Sequence, residues 1–224
     1  MAQPGLNELL KWSVENSSTT ANDPDTAPPT NRHLNPEALS ALFGGPSDAD
    51  LMRMSIAAVL STDPEVTMED KLVAFDNFEQ LIENLDNANN ISVLGLWEPL
   101  LGCLTYGEQD DREVEGAGEI RKMAAWCVGT AVQNNEKSQE ACFAQGAIPK
   151  LVNVATKEGE VREVRRKAVY ALSSACRNFQ PAMDGLVKEL RGLGREVEDV
   201  DAADMDACDE LIGGLREEAM KNGV

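Results

Sequence analysis

One histidine, five cysteines and thirty-nine carboxylates are the groups with which this chain could do covalent or metal chemistry. Their spacing argues against each such use. His33 lies in a stretch rich in Ser, Thr, Asn, Asp and Pro, so no rigid scaffold can aim it at a Ser or Cys nucleophile. Cys103, Cys127, Cys142, Cys176 and Cys208 are scattered singly; no CxxC pair offers a four-thiolate zinc site, and histidine-based sites lack their histidines. The odd cysteine count and the apolar surroundings of three of them predict reduced, buried thiols. No GxxxxGK[ST] or GxGxxG is present to cradle a phosphate. The acidic run 199–210 lacks the glycine that an EF-hand loop requires at its sharp turn. The remaining carboxylates fall in charge runs that read as solvated surface. The chain is therefore expected not to be an enzyme, and to need no cofactor and no metal.

Recognition is the chemistry left, and a repeat supplies its scaffold. Residues 120–135, IRKMAAWCVGTAVQNN, and 164–179, VRRKAVYALSSACRNF, align without a gap at an offset of 164 − 120 = 44. Ile120 meets Val164, Arg121 meets Arg165, Ala124 meets Ala168, Trp126 meets Tyr170, and Asn134 meets Asn178. A period in the forties marks stacked helical repeats of the armadillo or HEAT kind. Such stacks present elongated surfaces to other proteins. A third, less similar stripe runs through Ala74, Phe78, Leu81, Ile82 and Leu85, on a helix expected over about 67–85. LWEPLL and AIPKL each begin a helix with proline in the first turn, where its missing N–H costs nothing.

The expected fold is an all-α, armadillo-like helical-repeat solenoid with a flexible N-terminal segment. Residues 6–15 are amphipathic, with Leu6, Leu9 and Leu10 on one side of a helix and Trp12 nearby; 17–35 read as disordered linker. Asn35-Pro36 starts a short helix that Gly44-Gly45 ends, and a further helix runs from Ser47 or Asp48 to about Leu60. The repeat domain is placed at 36–192, with an exposed charged loop between Thr105 and Gly118. An acidic segment and a C-terminal capping helix fill 193–224. That segment is read as a solvated cap, with a docking tail for a basic partner as the alternative. A net charge of −19 sets the surface against nucleic acid and anionic membrane, no stretch is long enough to span a bilayer, and the N-terminus lacks a basic-then-apolar signal pattern.

Opposite each core stripe lies a free ladder at a spacing of four. It reads Lys122, Trp126, Thr130 and Asn134 on one copy, and Arg166, Tyr170, Ser174 and Asn178 on the next, with Arg177 beside it. On the first helix it reads Asp76, Gln80, Asn84 and Ala88. Two readings of Trp126 and Tyr170 stay open: both rings cover the neighbouring repeat, or they form an aromatic and cationic rail for a partner, acidic and polar at one end and basic at the other.

The ladder resembles the third helix of armadillo repeats, but importin-like adaptors carry Trp with Asn one turn on, where this chain has Thr130 and Ser174. A closer resemblance rests on LLKWSVENS, LNPEALSALFGG, KLVAFDNFEQLIENLDNANNI, LWEPLL, AAWCVGTAVQNNEKSQEACFAQGAIPKLV and RKAVYALSSACRN. These look like the fungal armadillo-type nucleotide exchange factors for heat-shock protein 70, related to the animal heat-shock-protein-70-binding proteins. The resemblance implies a cytoplasmic, monomeric co-chaperone that speeds ADP release from a cytosolic chaperone and supports protein folding and client release. It implies that a groove grips the chaperone's ATPase domain, and maps it to 84–90, Asn134-Asn135 and Arg177-Asn178. Together with the ladder read from spacing, the expected groove residues are Gln80, Asn84, Asn87, Ala88, Asn89 and Asn90 at one end. Lys122, Trp126, Thr130, Asn134 and Asn135 follow, then Arg166, Tyr170, Ser174, Arg177 and Asn178. It further implies that the N-terminal segment 1–16, through Leu6, Leu9, Leu10 and Trp12, acts on the chaperone's substrate-binding domain. An armadillo adaptor holding an extended peptide of another partner is the alternative.

Overall fold

The computed structural model describes residues 46–108 and 114–221. By contacts the chain divides into Met1–Ser47 and Asp48–Val224. The expected linker, the helix beginning at Asn35-Pro36 and the segment carrying Leu6, Leu9, Leu10 and Trp12 lie outside the described residues.

The second unit is all-helical among its described residues: α1 (Asp48–Val59), α2 (Met68–Ile82), α3 (Leu85–Val93), α4 (Trp97–Gly102) continued by a 3-10 turn, α5 (Ala117–Val132), α6 (Glu136–Ala144), α7 (Ala147–Thr156), α8 (Arg162–Cys176), α9 (Gln180–Gly192) and α10 (Met205–Lys221). Local chemistry sets the ends. Asp48 and Asp50 lie at the N-terminal turn of α1, whose buried Met52, Ile56 and Val59 form one stripe. Thr67 and Asp70 make a reciprocal capping box at the start of α2. Here the structure corrects the expected 67–85 helix. Asn84 accepts from the Asp86 and Asn87 backbone N–H groups, so it caps a new helix instead of continuing the old one. Leu85 consequently leaves the core stripe and is 58% exposed, while Phe75 and Phe78 fill the core.

The repeat is a three-helix unit. Helices α3, α6 and α9 are its first helices, α4 and α7 its second, and α5, α8 and α10 its third. Pro99 and Pro149 each stand third in their helix, among the N–H groups that have no intrahelical acceptor. Third helices pack in series, α2 on α5, α5 on α8 and α8 on α10. The core stripe recurs at intervals of 44 through Ile120, Val164 and Cys208; Ala124, Ala168 and Ile212; Cys127, Ala171 and Leu215; Ala131, Ala175 and Ala219. None of these twelve is more than 5% exposed. Thus α10 is the third helix of a third copy in the same register, an armadillo-like solenoid extended by one rung. That copy has no second helix: residues 193–204 are non-helical. This stretch is tied down by Gln180, which donates to the Val200 carbonyl at 2.9 Å and accepts from the Ala202 N–H at 2.8 Å. All five cysteines are free and buried.

Candidate partner-binding groove

Turning one face of each third helix into the stack leaves its other face on a shared groove. On α5 and α8 that face carries Lys122, Trp126 and Thr130, and Arg166, Tyr170 and Ser174, in matching order. Between them and α10 lies a cleft of about 630 Å³, lined by residues that include Lys122, Trp126, Lys167, Tyr170, Arg216 and Met220. The Lys167 ammonium sits 3.4 Å from the centroid of the Trp126 ring and 5.5 Å from that of Tyr170, placing a cation over two π faces. Burial is the largest influence on Lys167 and pushes its pKa down; Glu79 opposes this, and Lys122 and Arg166 add to it.

The ring of Tyr170 lies on the backbone of α5. A methyl group at Gly129 would come within 2.4 Å of its Cε1, so only glycine permits this approach. The hydroxyl then donates to Gln133 Oε1 at 3.1 Å. Both aromatic rings are half-buried, at once covering the neighbouring helix and fronting the cleft. Thr130 donates to the buried Glu79 carboxylate at 2.8 Å, joining α5 to α2. Lys122 pairs with Glu119 one turn back. Toward α2 the lining turns polar and acidic: Gln80 donates to Asp76 at 2.8 Å. A second cleft of about 530 Å³, floored by Leu51, Met54, Ala58 and Ala74, opens beside Gln80.

Several residues expected on this ladder have other duties. Asn84 is the cap of α3. Asn87 is buried and donates to Asp48 at 2.8 Å and to the Leu81 carbonyl at 3.0 Å. Ala88 is core, at 3% exposure. Asn89 accepts from Ser138 at 3.4 Å, and Asn90 lies on the same short helix, so neither extends the α2 ladder. The cause is the helix break at Asn84, which puts everything after it on a different helix. Asn134 and Asn178 lie one residue or more beyond their helices with φ of 51° and 59°. They recur because asparagine tolerates the left-handed conformation that the chain adopts just past α5 and α8. Asn135 is buried as the cap of α6. Arg177 is engaged within the chain: it contacts Ser173, Met205 and, at 2.5 Å, Asp209, pinning α10.

Sequence reasoning missed Glu79, Lys167, Arg216 and Met220. Glu79 and Lys167 each stand one residue off the strict spacing of four. Arg216 and Met220 are four apart and away from the stripe Cys208, Ile212, Leu215 and Ala219, which was the available signal. Among the described residues no group of three His, Cys, Asp or Glu is placed to hold a metal. The thiols are poor nucleophiles: burial pushes Cys103 and Cys142 up to about 12.

Residues 6–91 match the family described as nucleotide exchange factor Fes1, and residues 114–194 match the SIL1/FES1/HPBP1 C-terminal domain. An Hsp70 nucleotide exchange factor FES1 of Gibberella zeae is 60% identical over 222 residues, spanning 99% of this chain and 100% of that one. This chain belongs to the Fes1 family. A second member, Hsp70 nucleotide exchange factor fes-1 of Neurospora crassa, is 47% identical over 249 residues, covering 96% of this chain and 97% of its own. Among solved structures, the crystal structure of an engineered protein superposes with a TM-score of 0.51 at 21% identity, over 84% of this chain and 68% of that one, a likeness of fold alone. The two Fes1-family matches leave out 92–113, where the charged loop lies, and end before α10.

Proposed function

We propose that this protein is a nucleotide exchange factor for an Hsp70 chaperone, working as a monomer in the cytosol. The observation that carries this reading is its 60% identity, end to end, to an Hsp70 nucleotide exchange factor. The groove along α2, α5, α8 and α10 binds the chaperone's ATPase domain, with Asp76, Gln80, Lys122, Trp126, Thr130, Arg166, Tyr170 and Ser174 as contact residues. The mechanism is linkage. A protein that binds the open, nucleotide-free arrangement of a two-lobed domain better than the closed one must weaken ADP. ADP weakens the protein by the same factor. No acid, base or nucleophile is called for.

Residues 1–36, through Leu6, Leu9, Leu10 and Trp12, act separately on the chaperone's substrate-binding domain, where a short apolar segment competes with a bound client. Stopped-flow release of labelled ADP from a purified Hsp70, over a titration of this protein, tests the main reading. Release should accelerate saturably; an unchanged rate at saturating protein would falsify it. Deleting residues 1–36 should leave ADP release almost unchanged and slow the release of a labelled peptide. A proportional loss of both rates would refute the separate role.

A further inference from the structure

We propose that the cleft between α5, α8 and α10 receives a carboxylate-bearing, solvent-exposed segment of the chaperone's ATPase domain, and is the electrostatic anchor of the complex. This rests on the reading of the groove as the chaperone-binding surface and names the chemistry of its basic end. The charge balance supplies the argument. The chain carries 39 acidic residues against 20 basic ones, so a cluster of cations around one concavity runs against its overall composition. Among the described residues, Arg53, Arg121, Arg165, Arg177, Arg191 and Arg195 each lie within 4.0 Å of one. Arg162, Arg166 and Arg216 are in no such pair, and of these Arg166 and Arg216 line one cleft together with Glu163. Lys167 is likewise held by rings and not by a carboxylate.

A strongly acidic protein thus gathers three cations without ion-pair partners around one concavity, and Lys122 adds a fourth charge beside them. The floor and wall are Trp126, Tyr170 and Met220, side chains that serve as desolvated anchors at interfaces. Guanidinium groups at such a rim favour planar, bidentate pairing with carboxylate. The space of about 630 Å³ takes several side chains, not a lone ion. The repeat keeps it open. Trp126 and Tyr170 are 44 apart, and the next position in the series is Gly214, where a Cβ would meet nothing within 4 Å. The third rung has no ring to fill the opening.

The test compares two double variants of equal charge. Arg166→Glu with Arg216→Glu changes the cleft; Lys150→Glu with Lys188→Glu changes exposed sites elsewhere. Each moves the net charge by −4, from −19 to −23. Both are read by affinity for purified Hsp70 ATPase domain, by ADP release, and by helical circular dichroism and melting as folding controls. The cleft variant should bind at least tenfold more weakly and the control within twofold of wild type. Added salt should weaken the wild type and have less effect on the cleft variant. Arg166→Lys with Arg216→Lys should recover most of the affinity. If the glutamate variant misfolds, Arg166→Gln with Arg216→Gln carries the same comparison. Equal losses in both charge variants, or a cleft variant within twofold of wild type, would overturn the proposal while leaving the exchange activity standing. Failure of the wild type to accelerate ADP release would bring down the functional reading and this inference with it. The carboxylates at 196–210 make a second copy of this chain the competing occupant. A concentration-dependent dimer by sedimentation, abolished by the cleft substitutions, would assign the cleft to self-association and overturn the proposal.

Discussion

Arg121 and Arg165 occupy the same place in successive repeats, 44 residues apart, and their surroundings treat them differently. Arg121 grips Glu160 with two parallel bonds, Nε to Oε2 at 2.8 Å and Nη2 to Oε1 at 2.7 Å, while Nη1 donates to the Tyr106 carbonyl at 2.8 Å. Glu160, itself buried, also accepts from the Val161 N–H. Arg165 is 1% exposed and donates Nε to the Ala155 carbonyl at 2.9 Å, the counterpart of the Tyr106 contact. There the likeness stops. Its nearest carboxylate, Glu218, is 3.9 Å away and lies 2.6 Å from Arg195; Nη1 has no partner among the described residues. The position matching Glu160 is 160 + 44 = 204, an aspartate. Asp204 is one carbon shorter, and its side chain accepts from the Asp206 and Ala207 N–H groups at the start of α10. A repeat copies the position of a charge, but its partner comes from the next repeat along. Toward the end of the stack that partner is diverted, so the joint between α8 and α10 is looser than that between α5 and α8.

The comparison can be broken by stability measurements, beginning with the largest effect. Ala88→Arg places a third guanidinium in the core with neither Glu160 nor Glu218 at hand. At a site 3% exposed it should cost on the order of 5 kcal/mol or unfold the protein. Native-like urea and thermal unfolding would show that α3 can swing clear. Next, Arg121→Ala strands the Glu160 carboxylate and should cost about 3–5 kcal/mol. Replacing both partners, Arg121→Met with Glu160→Met, should recover most of that loss. Arg165→Met should be far milder, within about 1 kcal/mol of wild type in either direction, because it removes an unsatisfied buried donor along with a long pair. An Arg165→Met loss as large as that of Arg121→Ala would erase the distinction between the two joints.

The same contrast explains how far the sequence could be read. The copies at 120–135 and 164–179 share letters, and so α5, α8 and their core faces were legible. The copy on α10 shares only polarity: Cys208, Ile212, Leu215 and Ala219 keep the stripe, but Gly214 replaces the ring and 193–204 replaces a helix, so it reads as a cap. The repeated asparagines were visible as ladder positions, but the left-handed backbone they adopt just past α5 and α8 was not. At Asn84 the apolar periodicity runs on through Leu85, and periodicity alone does not register a cap. The groove's aromatic pair followed from the register. Lys167 did not, because its long side chain reaches the Trp126 ring from one residue off the ladder.

The smallest effect sharpens the comparison without changing global stability. Thiol labelling reads local opening, since a buried cysteine reacts only when its element detaches. Cys208 is on α10, donating weakly to the Asp201 and Ala202 carbonyls, and Cys127 lies within α5. Burial raises both thiols; around Cys208 Arg177 opposes the rise, and around Cys127 Glu79 adds to it. Near pH 8 neither is a thiolate in the folded protein. An opened segment returns its cysteine to the ordinary value of 9.0, so below that pH labelling should rise about tenfold per unit. Cys208 should react first and Cys127 last. Arg177→Ala cuts the ties to Asp209 and Met205 and should quicken Cys208 several-fold while leaving Cys127 unchanged. Peptide mass mapping of the label separates the two sites. Equal acceleration at both would mean that α10 opens only when the whole stack unfolds. The uneven pairing of Arg121 and Arg165 would then have no consequence for motion.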